Sequence, residues 1–139
     1  MTKLSPVQNK TIEEFWMNID DYRKQLKFRE WELLENKNDD TNVGGGKSNQ
    51  TSDTTAKKAI LLAEDTRYQH LKNIIVAIEN VYESLDEEMK EFADIRYLSK
   101  ESNYYEWEDI ADEIGVSKAK AYKMRNRLMD LTAERLGWL

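Results

Sequence analysis

Cysteine is missing from this 139-residue chain. Disulfides, thiolate metal sites and thiol nucleophiles go with it. Proline occurs once and glycine five times, and β-branched residues do not run together, so an all-α fold is expected. The single histidine, His70, has no cysteine or second histidine beside it and reads as a packing or surface residue. No apolar run approaches the roughly 20 residues that cross a bilayer. The opening MTKLSPVQNK carries no apolar signal core. These absences predict a soluble, cytoplasmic protein with no membrane partner. Carboxylates are plentiful, but none is matched with a nucleophile or a metal set. No enzymatic activity, catalytic residue, cofactor or metal is therefore expected.

What is present is 40% hydrophobic, 35% charged and carries a net charge of -6. That suffices for one domain, or a small domain with an arm. From Thr11 to Leu34, Ile12, Ile19, Leu26 and Leu33 recur at heptad spacing, with Phe15 and Tyr22 beside them. The pattern predicts one amphipathic helix, with Trp16, Phe28 and Trp31 off the seam. Such a seam packs on the helix's own domain or on a second copy. Residues 1–36 are read as an arm, and self-association is assigned to it.

The stretch NKNDDTNVGGGKSNQTSDTT follows, polar and without an aliphatic period, so residues 37–55 read as a flexible linker. Its GGGKS is not a phosphate-binding loop. Thr41 stands where that motif needs glycine, and no strand precedes it. The NQT at Asn49 matches a glycosylation acceptor but has no secretory signal to give it meaning. Helical patterning resumes near Ala56. Leu71, Ile74, Ile75, Ile78, Val81, Tyr82 and Leu85 then form a long central stripe. At Ser84, SLDE matches a capping box that would open a new helix with Met89, Phe92, Ile95 and Leu98 inward. After SKESNYYE come two further helices, Glu106 to Ile114 and Ser117 to about Leu136.

These last two satisfy every constrained position of a helix-turn-helix. Counting Trp107 as the first position, Ile110 and Ala111 are fourth and fifth, and the small Ala111 admits a close second helix. Ile114 is eighth. Gly115, ninth, can take the left-handed conformation of the turn. Val116, Ala121 and Met124 complete the apolar set, and Ser117 is a good N-cap. Residues 56–139 thus read as a helical DNA-binding domain with its helix-turn-helix at 106–136. On the second helix Ala121, Met124, Leu128 and Leu131 face inward. The other side offers Ser117, Lys118, Ala119, Lys120, Tyr122, Lys123, Asn126 and Arg127, with Arg125 flanking. Lys118, Lys120, Lys123, Arg125 and Arg127 form a cationic block in an acidic chain. The bland reading pairs them with Glu101, Glu106, Glu108, Asp109, Asp112 and Glu113 upstream. The sharper one sets polar groups against base edges and cations against phosphates of double-stranded DNA.

The segment LDEEMKEFADIRYL…WEDIADEIGVSKAKAYKMRNRLMDLTAERLG resembles the promoter-binding helix-turn-helix domain at the C-terminus of bacterial sigma factors. More closely, the chain is similar to the ArpU/RinA-like transcriptional regulators of phages that infect Gram-positive bacteria. That resemblance implies a phage-encoded activator of late genes, working in the bacterial host cell with host RNA polymerase as a partner. Glu106 departs from the Ser or Thr often found before the first helix. Ala119 to Ala121 replace a Ser/Thr-rich start, so base preference does not carry over. A DNA-packaging protein of the small-terminase kind is the alternative. Those proteins usually carry the helix-turn-helix first and the oligomerising helices after it, the reverse of the order here.

Overall fold

The computed structural model describes residues 3–35, 50–99 and 106–139; all the regular structure there is helical, with no strand among the described residues. The chain divides into two compact units, Met1–Ile19 with Ile74–Leu139, and Asp20–Asn73. This differs from the arm, linker and domain read from sequence. The difference begins in the first helix.

Helix α1 (Pro6–Met17) opens on a reciprocal capping box: Gln8 N–H donates to Ser5 Oγ at 3.1 Å, and Ser5 N–H to Gln8 Oε1 at 2.8 Å. Pro6 occupies the first turn, where a missing N–H costs nothing. The helix stops at Asn18, whose backbone leaves the helical region (φ -109°, ψ 21°) while its side-chain amide donates to the Glu14 carbonyl at 2.9 Å. Helix α2 (Ile19–Leu34) starts afresh. The heptad pattern had hidden this break, because Asn18 lies off the seam. Ile12, Phe15, Trp16 and Ile19 are buried, and Trp16 Nε1 donates to Thr132 Oγ1 at 3.0 Å. The N-terminal half of the expected self-association seam is therefore filled by the chain's own core, the first of the two packings that the seam allowed.

In the same unit, helix α4 (Thr66–Ser84) contributes buried Ile74, Ile75, Ala77, Ile78 and Val81, with Leu85 just beyond it. Ser84 does not cap the next helix. Its hydroxyl donates back to the Val81 carbonyl at 2.7 Å, and Asp86 takes the capping role, accepting from Met89 N–H at 2.8 Å. Helix α5 (Glu87–Ala93) then widens into a π-helical turn (Asp94–Leu98), closed by Ser99 N–H donating five residues back to the Asp94 carbonyl at 2.7 Å. The wider turn changes which residues point inward. Phe92 and Tyr97, five apart, are buried, while Ile95 and Leu98 are only half-buried. A 3.6-residue period cannot foresee that step.

The second unit holds most of α2, helix α3 (Gln50–Glu64) and residues 66–73 of α4. Residues 50–55, read as linker, are the first turns of α3. Residues 36–49, with GGGKS, lie outside the described residues. The helix expected to run on from Ala56 is interrupted at Asp65. That carboxylate accepts from Tyr68 N–H at 2.8 Å, and it holds Arg29 through two bonds, Nη2 to Oδ1 at 2.6 Å and Nε to Oδ2 at 2.9 Å. Arg29 pulls the Asp65 carboxyl down to about 2. Leu33, Tyr68 and Leu71 are buried here, and His70 is exposed.

Candidate nucleic-acid interface

Helix α6 (Trp107–Ile114) begins after Glu106, whose N–H donates to the Asp109 carboxylate at 3.2 Å, the reverse arm of a capping box in which Glu106 stands where Ser or Thr is usual. It ends at Gly115 in the left-handed conformation (φ 83°, ψ 34°). The Ala111 carbonyl accepts from both Gly115 N–H at 2.8 Å and Val116 N–H at 2.9 Å. A side chain on Gly115 would meet nothing within 4 Å. Backbone conformation, not crowding, is what favours glycine there. Ser117 caps helix α7 (Lys118–Leu136), accepting from Lys120 N–H at 3.1 Å.

Ile110 and Ala111 of α6 and Ala121, Met124 and Leu128 of α7 are all buried, as the spacing requires. Leu131 is only half-buried, and Met129, Thr132 and Ala133 are buried in addition. The extra stripe exists because α7 also packs against α1, a contact that spacing within α7 could not announce.

The outward side of α7 carries the eight residues assigned to DNA, all exposed, but they are not equally available. Ser117 is engaged in its cap. Lys118 Nζ lies 3.5 Å from Glu108 Oε1, and Lys120 Nζ lies 3.3 Å from Glu88 Oε1. Both pairs are half-exposed, a setting in which such pairs contribute about 0–1 kcal/mol. Asn126 Oδ1 accepts from Arg125 Nη1 at 3.0 Å. Ala119 is exposed at the start of the helix. Among the described residues, Lys123 and Arg127, one turn apart, form no ion pair. The cationic block therefore divides: Lys118 and Lys120 have acidic partners, while Lys123 and Arg127 have none among the described residues.

Arg125 turns the other way. Its Nη2 lies 3.0 Å from Glu13 Oε1, with both side chains largely covered. Glu13 also accepts from the buried Tyr97 hydroxyl at 2.7 Å and has Arg96 Nη2 at 3.8 Å. Burial, with Glu13 beside it, raises the Tyr97 phenol and keeps it a donor. Arg96 also spreads over the Trp107 ring, 4.6 Å from its centroid, and its Nε is buried with no hydrogen-bond partner. Trp107 in turn stacks against Phe92 at 6.2 Å and Tyr122 at 4.6 Å. Tyr122 and Trp107 line an open groove of about 330 Å³ together with Glu106, Glu108 and Lys118. Sequence reasoning missed Glu13, Arg96 and Glu88. None is near α7 in the chain, so spacing within α7 carried no signal for them.

Among the described residues no three His, Asp or Glu side chains group to hold a metal ion, and no helix is long and apolar enough to cross a membrane. A family model described as a protein of unknown function (DUF722) matches residues 9–134, and the chain belongs to that family. No curated protein and no solved structure matches it.

Proposed function

We propose that this member of the DUF722 family is a sequence-specific, double-stranded-DNA-binding transcriptional regulator, a phage activator of late genes that presents α7 to the major groove. The observation that carries the reading is the unit from Trp107 to Leu136. A short helix, a left-handed glycine and a Ser-capped long helix bury one face and leave Ala119, Tyr122, Lys123, Asn126 and Arg127 exposed on another. The resemblance of the same segment to sigma-like promoter-binding domains supports it. Lys123 and Arg127 contact phosphates. Lys118 and Lys120 exchange their weak carboxylate partners for phosphates, and Ser117 stays in its cap. Asn126 and Tyr122 read base edges or thymine methyls. Arg125 remains with Glu13. Host RNA polymerase is the protein partner that the resemblance implies, and the active species is a homo-oligomer, since one such module buries little DNA surface.

Footprinting on DNA around its own gene, followed by a salt titration of affinity, tests this. With four cations on phosphates, log K against log salt falls with a slope near about -4 per protomer. The Lys123→Ala/Arg127→Ala variant flattens that slope by about 2 and weakens all sequences alike. Asn126→Ala instead lowers discrimination between sites. No footprint, or an unchanged slope in the double variant, sinks the assignment of this face.

A further inference from the structure

The second unit carries a face that its own helices leave open. Phe28 and Trp31 of α2 stack with ring centroids 5.7 Å apart, yet they remain 57% and 48% exposed. Exposed aromatic surface of this kind marks a contact. Four exposed residues, Lys24, Phe28, Trp31 and Glu35, recur at spacings of four, three and four. Glu35 stays in helical register, because its N–H donates to the Trp31 carbonyl at 2.8 Å. At 100° per residue these four fall on one narrow stripe, the spacing of a coiled-coil seam. Opposite it lies Leu33, buried in this unit. Among the described residues Lys24 and Glu35 form no ion pair.

We infer that this stripe pairs with the same stripe of a second copy, antiparallel, about a two-fold axis between residues 29 and 30. The order of the four side chains selects that partner. With the axis there, Phe28 of each copy meets Trp31 of the other, and Lys24 of each meets Glu35 of the other. A parallel arrangement sets Lys24 on Lys24 and Glu35 on Glu35, and like charges across an interface exclude it. A self-complementary patch is what a two-fold dimer requires. The stripe spans only about 16 Å along the helix, well short of a standard interface, so the dimer is reversible and forms at micromolar concentration. This seam is distinct from the one assigned to self-association from sequence, whose Ile12, Phe15 and Ile19 are buried. The inference does not rest on DNA binding.

Sedimentation equilibrium of the full chain over the micromolar range, without DNA, tests it. The wild type shows a monomer–dimer equilibrium. Phe28→Ala/Trp31→Ala weakens association by about tenfold or more, with helicity by circular dichroism unchanged because both side chains are exposed. Lys24→Glu and Glu35→Lys each weaken it severalfold, and the Lys24→Glu/Glu35→Lys double variant recovers the wild-type constant, since the exchanged charges again face each other. A wild type that stays monomeric, an alanine double variant that dimerises as before, or a charge exchange no better than its single variants overturns the proposal.

Discussion

The two units are held by different means. In Met1–Ile19 with Ile74–Leu139, large side chains such as Trp16, Phe92, Ile110, Leu128 and Met129 are fully buried, and the buried Thr132 hydroxyl is hydrogen-bonded inside. In Asp20–Asn73 the buried apolar side chains among the described residues are Leu33, Tyr68 and Leu71, while Phe28, Trp31, Ile60 and Leu61 face outward. A two-pronged ion pair and a helix cap, both on Asp65, take the place of a core. Burial is non-directional and roughly proportional to area, whereas a salt bridge with one carboxylate at its centre depends on a single charge. The first unit is built to hold α7 in place; the second keeps its apolar surface for contact.

The largest effect that separates the two is a paired truncation. Phe92→Ala removes a side chain with no exposure, wedged against Tyr97 and Trp107, and is expected to cost about 3–5 kcal/mol in denaturant unfolding. Phe28→Ala costs under about 0.5 kcal/mol in the monomer. Equal losses would erase the contrast. Next, Thr132→Val leaves the Trp16 indole N–H buried without its acceptor and is expected to cost about 1–3 kcal/mol. Gly115→Val is expected to cost about 1–2 kcal/mol through its φ of 83° alone, because the space beside it is open. A Gly115→Val protein that melts at the wild-type temperature would show that the turn takes another conformation in solution.

The smallest effect belongs to the second unit and appears only in acid. Asp65 is depressed when folded, from an ordinary value of 3.8 to about 2. The stabilisation this gives is present above about pH 4 and drains away as pH falls toward 2. Following helix content by circular dichroism through that window should show a transition in the wild type that Asp65→Asn lacks. An identical acid transition in the variant would mean that another group holds α2 and α4.

The all-α class, the stripe from Leu71 to Leu85 and the turn at Gly115 were legible because each depends on spacing within one segment or on one special residue. Ser117 and Ala111 could be placed for the same reason. The break at Asn18 and the π turn at Asp94–Leu98 were not legible. In both, a hydrogen bond back to an earlier carbonyl overrides the period, and neither site carries the glycine or proline that marks a break in a sequence. The division of labour among the α7 cations was invisible too. Glu13, Glu88 and Glu108 decide it, and only Glu108 is close in the chain. Charge counts describe a sequence, and partners are assigned by the fold.

The bond between Trp16 and Thr132 joins residues 116 positions apart. During synthesis at about 5–20 residues per second, α1 waits roughly 6 to 23 s for the helix that covers it. For that time its indole and the Ile12 and Phe15 beside it have no final resting place, and a chaperone or a neighbouring nascent chain can take hold of them. Once α7 is made, α1 and α7 close on each other. Ribosome pausing before the Thr132 codon lengthens that wait and should accordingly lower the yield of folded protein more than an equal pause after α7 has emerged.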